Sequence, residues 1–407
     1  MQPEKVLKDR FGYDRFRPGQ REIIDAVISG RNCLGVLPTG AGKSVCFQVP
    51  ALMQPGLTLV ISPLISLMED QVAHLQQQNI PAVCLTGNMS KHTYNQMLYE
   101  TGRGAFKLLY VSPERLQNER FIRFAQMNPP GFVAVDEAHC VSQWGHDFRP
   151  SYLQISSFVK ALPQRPLYAA FTATATPRVR QDIIEGLGLD DPLVFAGSFD
   201  RPNLFFAKKS PADKDRALLD ELEKMKGKSG IVYCSTHRNV ERCFRLLRQH
   251  GYSAARYHAG LSAGERTSAQ EAFVRGPVRI IAATSAFGMG IDKSDITFIL
   301  HYNMPQSLEE YYQEAGRAGR NGQGARCTLF YSEEDLRVGK VLAQQQDKPD
   351  RALELLASMW DYCNCDGCLR NYILRYFGEN RSGNCGKCSY CRGTDRWQKF
   401  TNFLRIK

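Results

Sequence analysis

No apolar run in this sequence approaches the ~18 residues that a membrane-crossing helix needs. The start, Met1-Gln2-Pro3-Glu4-Lys5, also lacks the hydrophobic segment of a secretion signal. Both absences predict a soluble, cytoplasmic chain with no membrane partner. No unit recurs at a fixed period and no long low-complexity tract is present, so any likeness between two parts of the chain is structural only. Acidic residues are the minority: 41 Asp and Glu against 52 Lys and Arg leave a formal charge of +11, a balance that favours polyanions such as nucleic acid. With 407 residues, 43% of them hydrophobic, the chain can bury a sizeable core and predicts two or three domains.

What is present is first of all cysteine. Seven of the thirteen are scattered through apolar or strand-like stretches, and six crowd into residues 363–391. That clustering, in a chain without a secretion signal, predicts a metal site in a reducing compartment rather than disulfides.

Short β-branched runs at 33–37, 57–61, 108–111, 132–135 and 167–172 alternate with helix-like stretches, the rhythm of a parallel sheet covered by helices. The rhythm pauses at Ser198-Phe199-Asp200-Arg201-Pro202-Asn203 and restarts at 230–234, 254–257, 279–283, 298–301 and 325–331. A polar stretch at 344–350 then leads to a basic end, in which residues 351–407 carry ten Lys or Arg and five Asp or Glu. The predicted organisation is an α/β domain at 1–197, a second at 198–342 and a small metal-held module at 343–407.

Pro38-Thr39-Gly40-Ala41-Gly42-Lys43-Ser44 lies between a predicted strand and a predicted helix, where backbone N–H groups and a helix N-terminus cradle phosphates. Leu37 stands where the longer P-loop pattern has glycine. Lys43 would neutralise β- and γ-phosphate charge and Ser44 would ligate Mg²⁺. About ninety residues on, the run 132–135 ends in Asp136-Glu137-Ala138-His139, two carboxylates at a strand tip, where α/β sheets put their chemistry. Asp136 would hold the metal and Glu137 would activate water, so the two motifs together predict nucleotide hydrolysis. Arg317 and Arg320, spaced by one helical turn and preceded by Gly316 and Gly319, offer a cation for the developing γ-phosphate charge.

Trp144, His146, Phe148 and Arg149 fall within six residues just past Glu137 and His139. Aromatics with arginine suit base stacking and phosphate contact, and a loop tethered to the carboxylates can pass DNA binding on to Glu137 or His139. Ser62-Pro63-Leu64, Tyr257-His258-Ala259-Gly260 and Ala283 to Gly290 are further strand-end segments suited to a nucleic-acid backbone.

The order Pro-Thr-Gly-Ala-Gly-Lys-Ser, Asp-Glu-Ala-His, Thr172-Ala173-Thr174-Ala175-Thr176 and Gly316-Arg317-Ala318-Gly319-Arg320 resembles a superfamily 2 helicase. Phe11-Gly12-Tyr13, Phe16-Arg17-Pro18-Gly19-Gln20 and Ser142-Gln143-Trp144-Gly145-His146-Asp147-Phe148-Arg149-Pro150 narrow the resemblance to bacterial-type RecQ DNA helicases, from Phe11 to Cys391. That resemblance implies two tandem RecA-like domains with ATP between them and a small helical zinc-binding module. It implies DNA-stimulated ATP hydrolysis, 3′ to 5′ translocation on single-stranded DNA and unwinding of duplex, in repair or recombination. Tyr13 would lie against the adenine with Arg17 and Gln20 beside it, Thr39, Gly40, Gly42, Lys43 and Ser44 would hold the phosphates and Mg²⁺, and Arg320 would be the arginine finger. Single-strand-binding protein or recombination factors are the protein partners implied, with nucleoid association in a bacterium.

For the metal, spacing alone allows Cys365-Cys368-Cys385-Cys388 or Cys368-Cys385-Cys388-Cys391. The resemblance selects the second set, and four thiolates would make the Zn²⁺ structural. Typical relatives continue into a winged-helix domain that grips duplex, whereas this sequence stops sixteen residues after Cys391. An RNA helicase is the competing enzyme reading, because Asp-Glu-Ala-His occurs there too, and a DNA-binding scaffold with a vestigial ATP site is the non-enzymatic one.

Overall fold

The computed structural model describes residues 2–87, 89–145, 147–288 and 293–393. Two compact units divide the chain, Met1–Ser198 and Phe199–Lys407.

The first unit holds seven strands: β1 (Cys33–Val36), β2 (Thr58–Ile61), β3 (Ala82–Leu85), β4 (Leu108–Val111), β5 (Phe132–Val135), β6 (Leu167–Thr172) and β7 (Leu193–Ala196). They form one sheet in the order β3-β4-β2-β5-β6-β1-β7, and every pairing is parallel. β1, β2, β4 and β5 are buried along their whole length, as apolar runs without alternation require when helices cover both faces. Ile23, Phe47, Val60, Tyr110 and Phe171 anchor the core on one side, with the Phe47 and Phe171 rings 5.5 Å apart. Because the strands run the same way, the C-terminal ends of β1, β6, β5 and β2 lie side by side along one edge.

The second unit holds β8 (Leu204–Lys209), β9 (Ser229–Tyr233), β10 (Ala254–Tyr257), β11 (Ile280–Ala283), β12 (Ile296–His301) and β13 (Ala325–Phe330), all parallel in the order β10-β11-β9-β12-β13-β8. Gly230 lets β12 approach β9, since a Cβ there would stand 2.3 Å from the Phe298 ring. Leu218, Val232, Val240, Leu247, Leu300 and Phe330 pack around that ring.

The cysteine-rich segment packs within this second unit. Helices Glu333–Gln344, Pro349–Asn364 and Leu369–Tyr376 lead into the cysteine loops. Arg370, 2% exposed, fastens them to the strand side: its guanidinium donates to Asp200 Oδ1 (2.7 Å), to the Arg201 carbonyl (2.6 Å) and to the Leu204 carbonyl (2.5 Å). Ser389 runs along β8, its N–H donating to the Phe206 carbonyl at 2.9 Å while its hydroxyl accepts from Lys208 N–H at 3.4 Å. Phe377 stacks on Phe199 with centroids 4.3 Å apart.

Candidate functional site

β1 empties into a loop held from behind. Gly40 and Gly42 sit at φ 84° and 80°, a backbone state that side chains rarely adopt, and a Cβ on Gly42 would lie 2.6 Å from Gln20 Nε2. Gln20 donates to the carbonyls of Ala41 (3.0 Å) and Gly42 (2.9 Å), and Arg17 donates to the Gly40 carbonyl. Gln20 Oε1 accepts from Arg17 N–H at 2.8 Å, which locks the two together. Thr39 is half-buried in the same turn, Ser44 caps the helix Val45–Met53, and Tyr13 is 52% exposed beyond the first helix.

Lys43 reaches the tip of β5. Its ammonium donates to Glu137 Oε1 at 2.8 Å and lies 3.7 Å from Asp136 Oδ1. Burial alone would lower the Lys43 pKa, but the two carboxylates outweigh it and the net shift is upward. Burial lifts the Asp136 carboxyl to about 6 against the pull of Lys43, with Glu137 adding to the rise. Glu137 adopts φ 47° and ψ 45°, a left-handed state costly for a residue with a side chain, and so holds its carboxylate under backbone strain. His139 is 2% exposed, with Nδ1 2.8 Å from Thr172 Oγ1 at the end of β6 and 3.4 Å from Glu137 Oε2.

The loop beyond His139 folds back on itself. Arg149 N–H donates to the Cys140 carbonyl, Arg149 Nη1 to the Pro63 carbonyl at 3.0 Å, and the guanidinium pairs with Asp147 at 3.2 Å. Gly145 passes so near the chain that a Cβ would meet the His139 carbonyl at 2.8 Å. Trp144 and Phe148 are half-buried. Ser142, 1% exposed, accepts from Trp144 N–H at 3.1 Å, and Arg178 covers the Trp144 ring. His146 lies outside the described residues, as do Met289, Gly290 and the basic end 394–407.

In the second unit the two arginines do not share a helix, as their spacing suggested. The helix stops at Ala315 and a turn follows, because Gly316 caps the helix and Gly319 takes φ 60°. Arg317 is buried and donates to the Gly288 carbonyl, while Arg320 is half-buried. The turn is held by residues that the sequence marked only as a pause: Arg201 donates to the carbonyls of Gly316, Ala318 and Gly319 at 3.2–3.3 Å, and Asn203 to Gly319 and Gln323 at 2.9 Å. Beside it His301 Nε2 meets Glu314 Oε2 at 2.8 Å, both buried. Burial lifts the Glu314 carboxyl to about 8 and pushes the His301 imidazole down to about 3.

Cys368, Cys385, Cys388 and Cys391 bring their sulfurs within 4.8 Å of one another. Cys385 N–H points at Cys368 Sγ and Lys387 N–H at Cys385 Sγ, both at 3.4 Å. Burial opposes ionisation of Cys385, but the Lys387 N–H and the neighbouring thiols bring it down to about 7. Such an all-sulfur, N–H-supported set fits Zn²⁺. Cys365 stands apart, with Lys208 donating to its carbonyl at 2.5 Å.

Three family models match in order: DEAD/DEAH box helicase at 17–183, helicase conserved C-terminal domain at 213–322 and RecQ zinc-binding at 331–392. The ATP-dependent DNA helicase RecQ of Bacillus subtilis is 43% identical over 96% of this chain and 67% of its own length. That of Pasteurella multocida is 44% identical over 95% of this chain and 61% of its own. The chain belongs to the RecQ family of ATP-dependent DNA helicases. It spans roughly two thirds of the length of these RecQ relatives. Among solved structures, Saccharomyces cerevisiae Dbp5 bound to RNA and ADP BeF3 (TM-score 0.68, 16% identity, 99% of this chain and 97% of that one) shares the fold. So does Mycobacterium smegmatis helicase Lhr bound to single-stranded DNA and AMP-PNP (0.63, 20%, 91% and 55%). RecQ kinship thus accounts for two RecA-like units and a cysteine cluster on one chain. Among the described residues no helix is long and apolar enough to cross a membrane.

Proposed function

We propose that this chain couples ATP hydrolysis to 3′ to 5′ movement along single-stranded DNA and unwinds duplex, in repair or recombination. The observation that carries the reading is the cluster of Lys43, Asp136 and Glu137 along one edge of the first sheet, joined through His139 to the aromatic loop. Arg17 and Gln20 take up the carbonyls of the phosphate loop, which shapes it for an anion on its N–H side. Tyr13 packs on the adenine, Lys43 exchanges Glu137 for phosphate oxygen, and the released Glu137 carboxylate accepts a proton from the attacking water. Ser44 and Asp136, a hydroxyl and a buried carboxylate, suit Mg²⁺, which when bound neutralises phosphate charge. Arg320 is the finger on the γ-phosphate, and Arg317 holds the loop carrying Gly288. Trp144, His146, Phe148 and Arg149 contact DNA and report it to Glu137. The zinc held by Cys368, Cys385, Cys388 and Cys391 is structural. Single-strand-binding protein and recombination factors are the partners proposed, and the nucleoid the place of work.

The test is ATP hydrolysis with and without single-stranded DNA, with poly-RNA as competitor and Lys43→Ala as blank. Stimulation by DNA alone, lost in Trp144→Ala with nucleotide binding intact, supports the motor. Equal stimulation by RNA points to an RNA helicase, and DNA binding without stimulation to a scaffold.

A further inference from the structure

The helix Pro177–Leu187 turns one row of residues towards the loop that follows Glu137. Arg178, Asp182 and Gly186 are four apart and so line up on one face. Asp182 Oδ2 accepts from Ser142 Oγ at 2.5 Å, and that same hydroxyl oxygen accepts from Trp144 N–H. Gly186 lies close enough to Val141 that a Cβ would stand 3.0 Å from its Cγ2. Arg178 completes the row, its guanidinium carbon 2.9 Å from the centroid of the Trp144 ring. The other end of the same two segments is pinned by His139 and Thr172, beside Glu137. Two stretches of chain, 137–145 and 172–186, are therefore joined at the catalytic end by His139 and at the solvent end by Arg178.

We propose that Arg178 is a positioning residue that competes with an incoming nucleobase for one face of the Trp144 ring and so sets the DNA concentration at which hydrolysis switches on. The inference rests on the DNA-stimulated activity proposed above. Arg178 is exposed and Trp144 half-buried, so the cation over the indole is a weak, exchangeable contact that base stacking can displace. Its guanidinium carbon lies over the indole rather than out towards a distant anion, in the row that docks the loop.

Binding of a fluorescein-labelled oligothymidylate, read by anisotropy, and ATP hydrolysis against DNA concentration are compared in the wild type, Arg178→Ala, Arg178→Lys, Trp144→Ala and the Arg178→Ala/Trp144→Ala double variant. Arg178→Ala is expected to tighten DNA binding and lower the half-activating concentration about two- to fivefold, with the KM for ATP and the rate at saturating DNA unchanged. Lysine should restore part of the wild-type value. In the Trp144→Ala background, removing Arg178 should leave the binding constant where it was. Unchanged or weaker binding in Arg178→Ala overturns the proposal, as does an equal shift without Trp144. A wild type that binds DNA but is not stimulated by it defeats the proposed motor instead, and the anisotropy cycle still decides the role of Arg178.

Discussion

Lys43 donates to Glu137 across 2.8 Å, so the side chain suited to phosphate is held by the carboxylate suited to water. On the function proposed above, nucleotide breaks that pair as it binds. Glu137→Gln should therefore lower turnover by about 10²- to 10⁴-fold, the usual worth of a general base, while binding ATP as tightly or more tightly, because Lys43 loses a charged competitor. Stopped-flow binding of a fluorescent ATP analogue beside steady-state hydrolysis separates the two effects, and weaker binding would assign Glu137 to the metal instead.

The buried pair of His301 and Glu314 gives the second unit a pH signature. Burial raises Glu314 from an ordinary 4.5 to about 8, so its contribution to stability is complete below 4.5 and is lost as pH climbs through 8. Burial lowers His301 from 6.5 to about 3, so its contribution is present above 6.5 and is lost as pH falls towards 3. The two trends oppose each other between 4.5 and 6.5, which leaves a net decline from 6.5 to 8. Glu310 and Arg317 face this pair, Tyr233 stacks on His301, and Tyr311 meets the imidazole at a tilt. Thermal unfolding should show the wild type losing about 1 to 2 kcal/mol over that window, with Glu314→Gln flat across it.

Arg317 and Arg320 should fail differently. Arg320→Ala should cut turnover by about 10³- to 10⁵-fold with little change in melting temperature, as a finger does. Arg317→Ala empties a buried site against Gly288 and Tyr233, so its melting temperature should fall as well. Calorimetry alongside kinetics distinguishes them, and an unstable Arg320→Ala would reverse the assignment.

Zinc content tests the cysteine set. Elemental analysis should find one zinc per chain in Cys365→Ser and none in Cys391→Ser. Loss of the metal should lower the melting temperature by about 6 to 12 °C, if at least ~3 kcal/mol is lost from a unit of this size.

Local signals made much of this legible. β5 ends an apolar run in two acids, and the glycines and lysine of the phosphate loop adjoin in sequence, so Lys43, Asp136 and Glu137 could be read with no partner in view. Ala82–Leu85 carries little strand signal, being four residues behind Pro81, and Leu193–Ala196 little more, because an edge strand is only half covered. Leu204–Lys209 ends in two lysines that make sense only beside Cys365 and Glu221, far along the chain. Arg178, Arg201 and Asn203 have no local signal for the same reason, since each serves a loop distant in sequence. The left-handed backbone of Glu137 has no signature at all in residue type.

β8 is the first strand of its unit to leave the ribosome and the last in its sheet, with β13 on one side only. Its other edge is covered by Ser389, and Arg370 closes over the chain leading into it. Until some 180 further residues have been synthesised, that edge offers unpaired N–H and C=O groups to any passing strand. The cysteine loops thus arrive last, to cover an edge that would otherwise invite strand pairing.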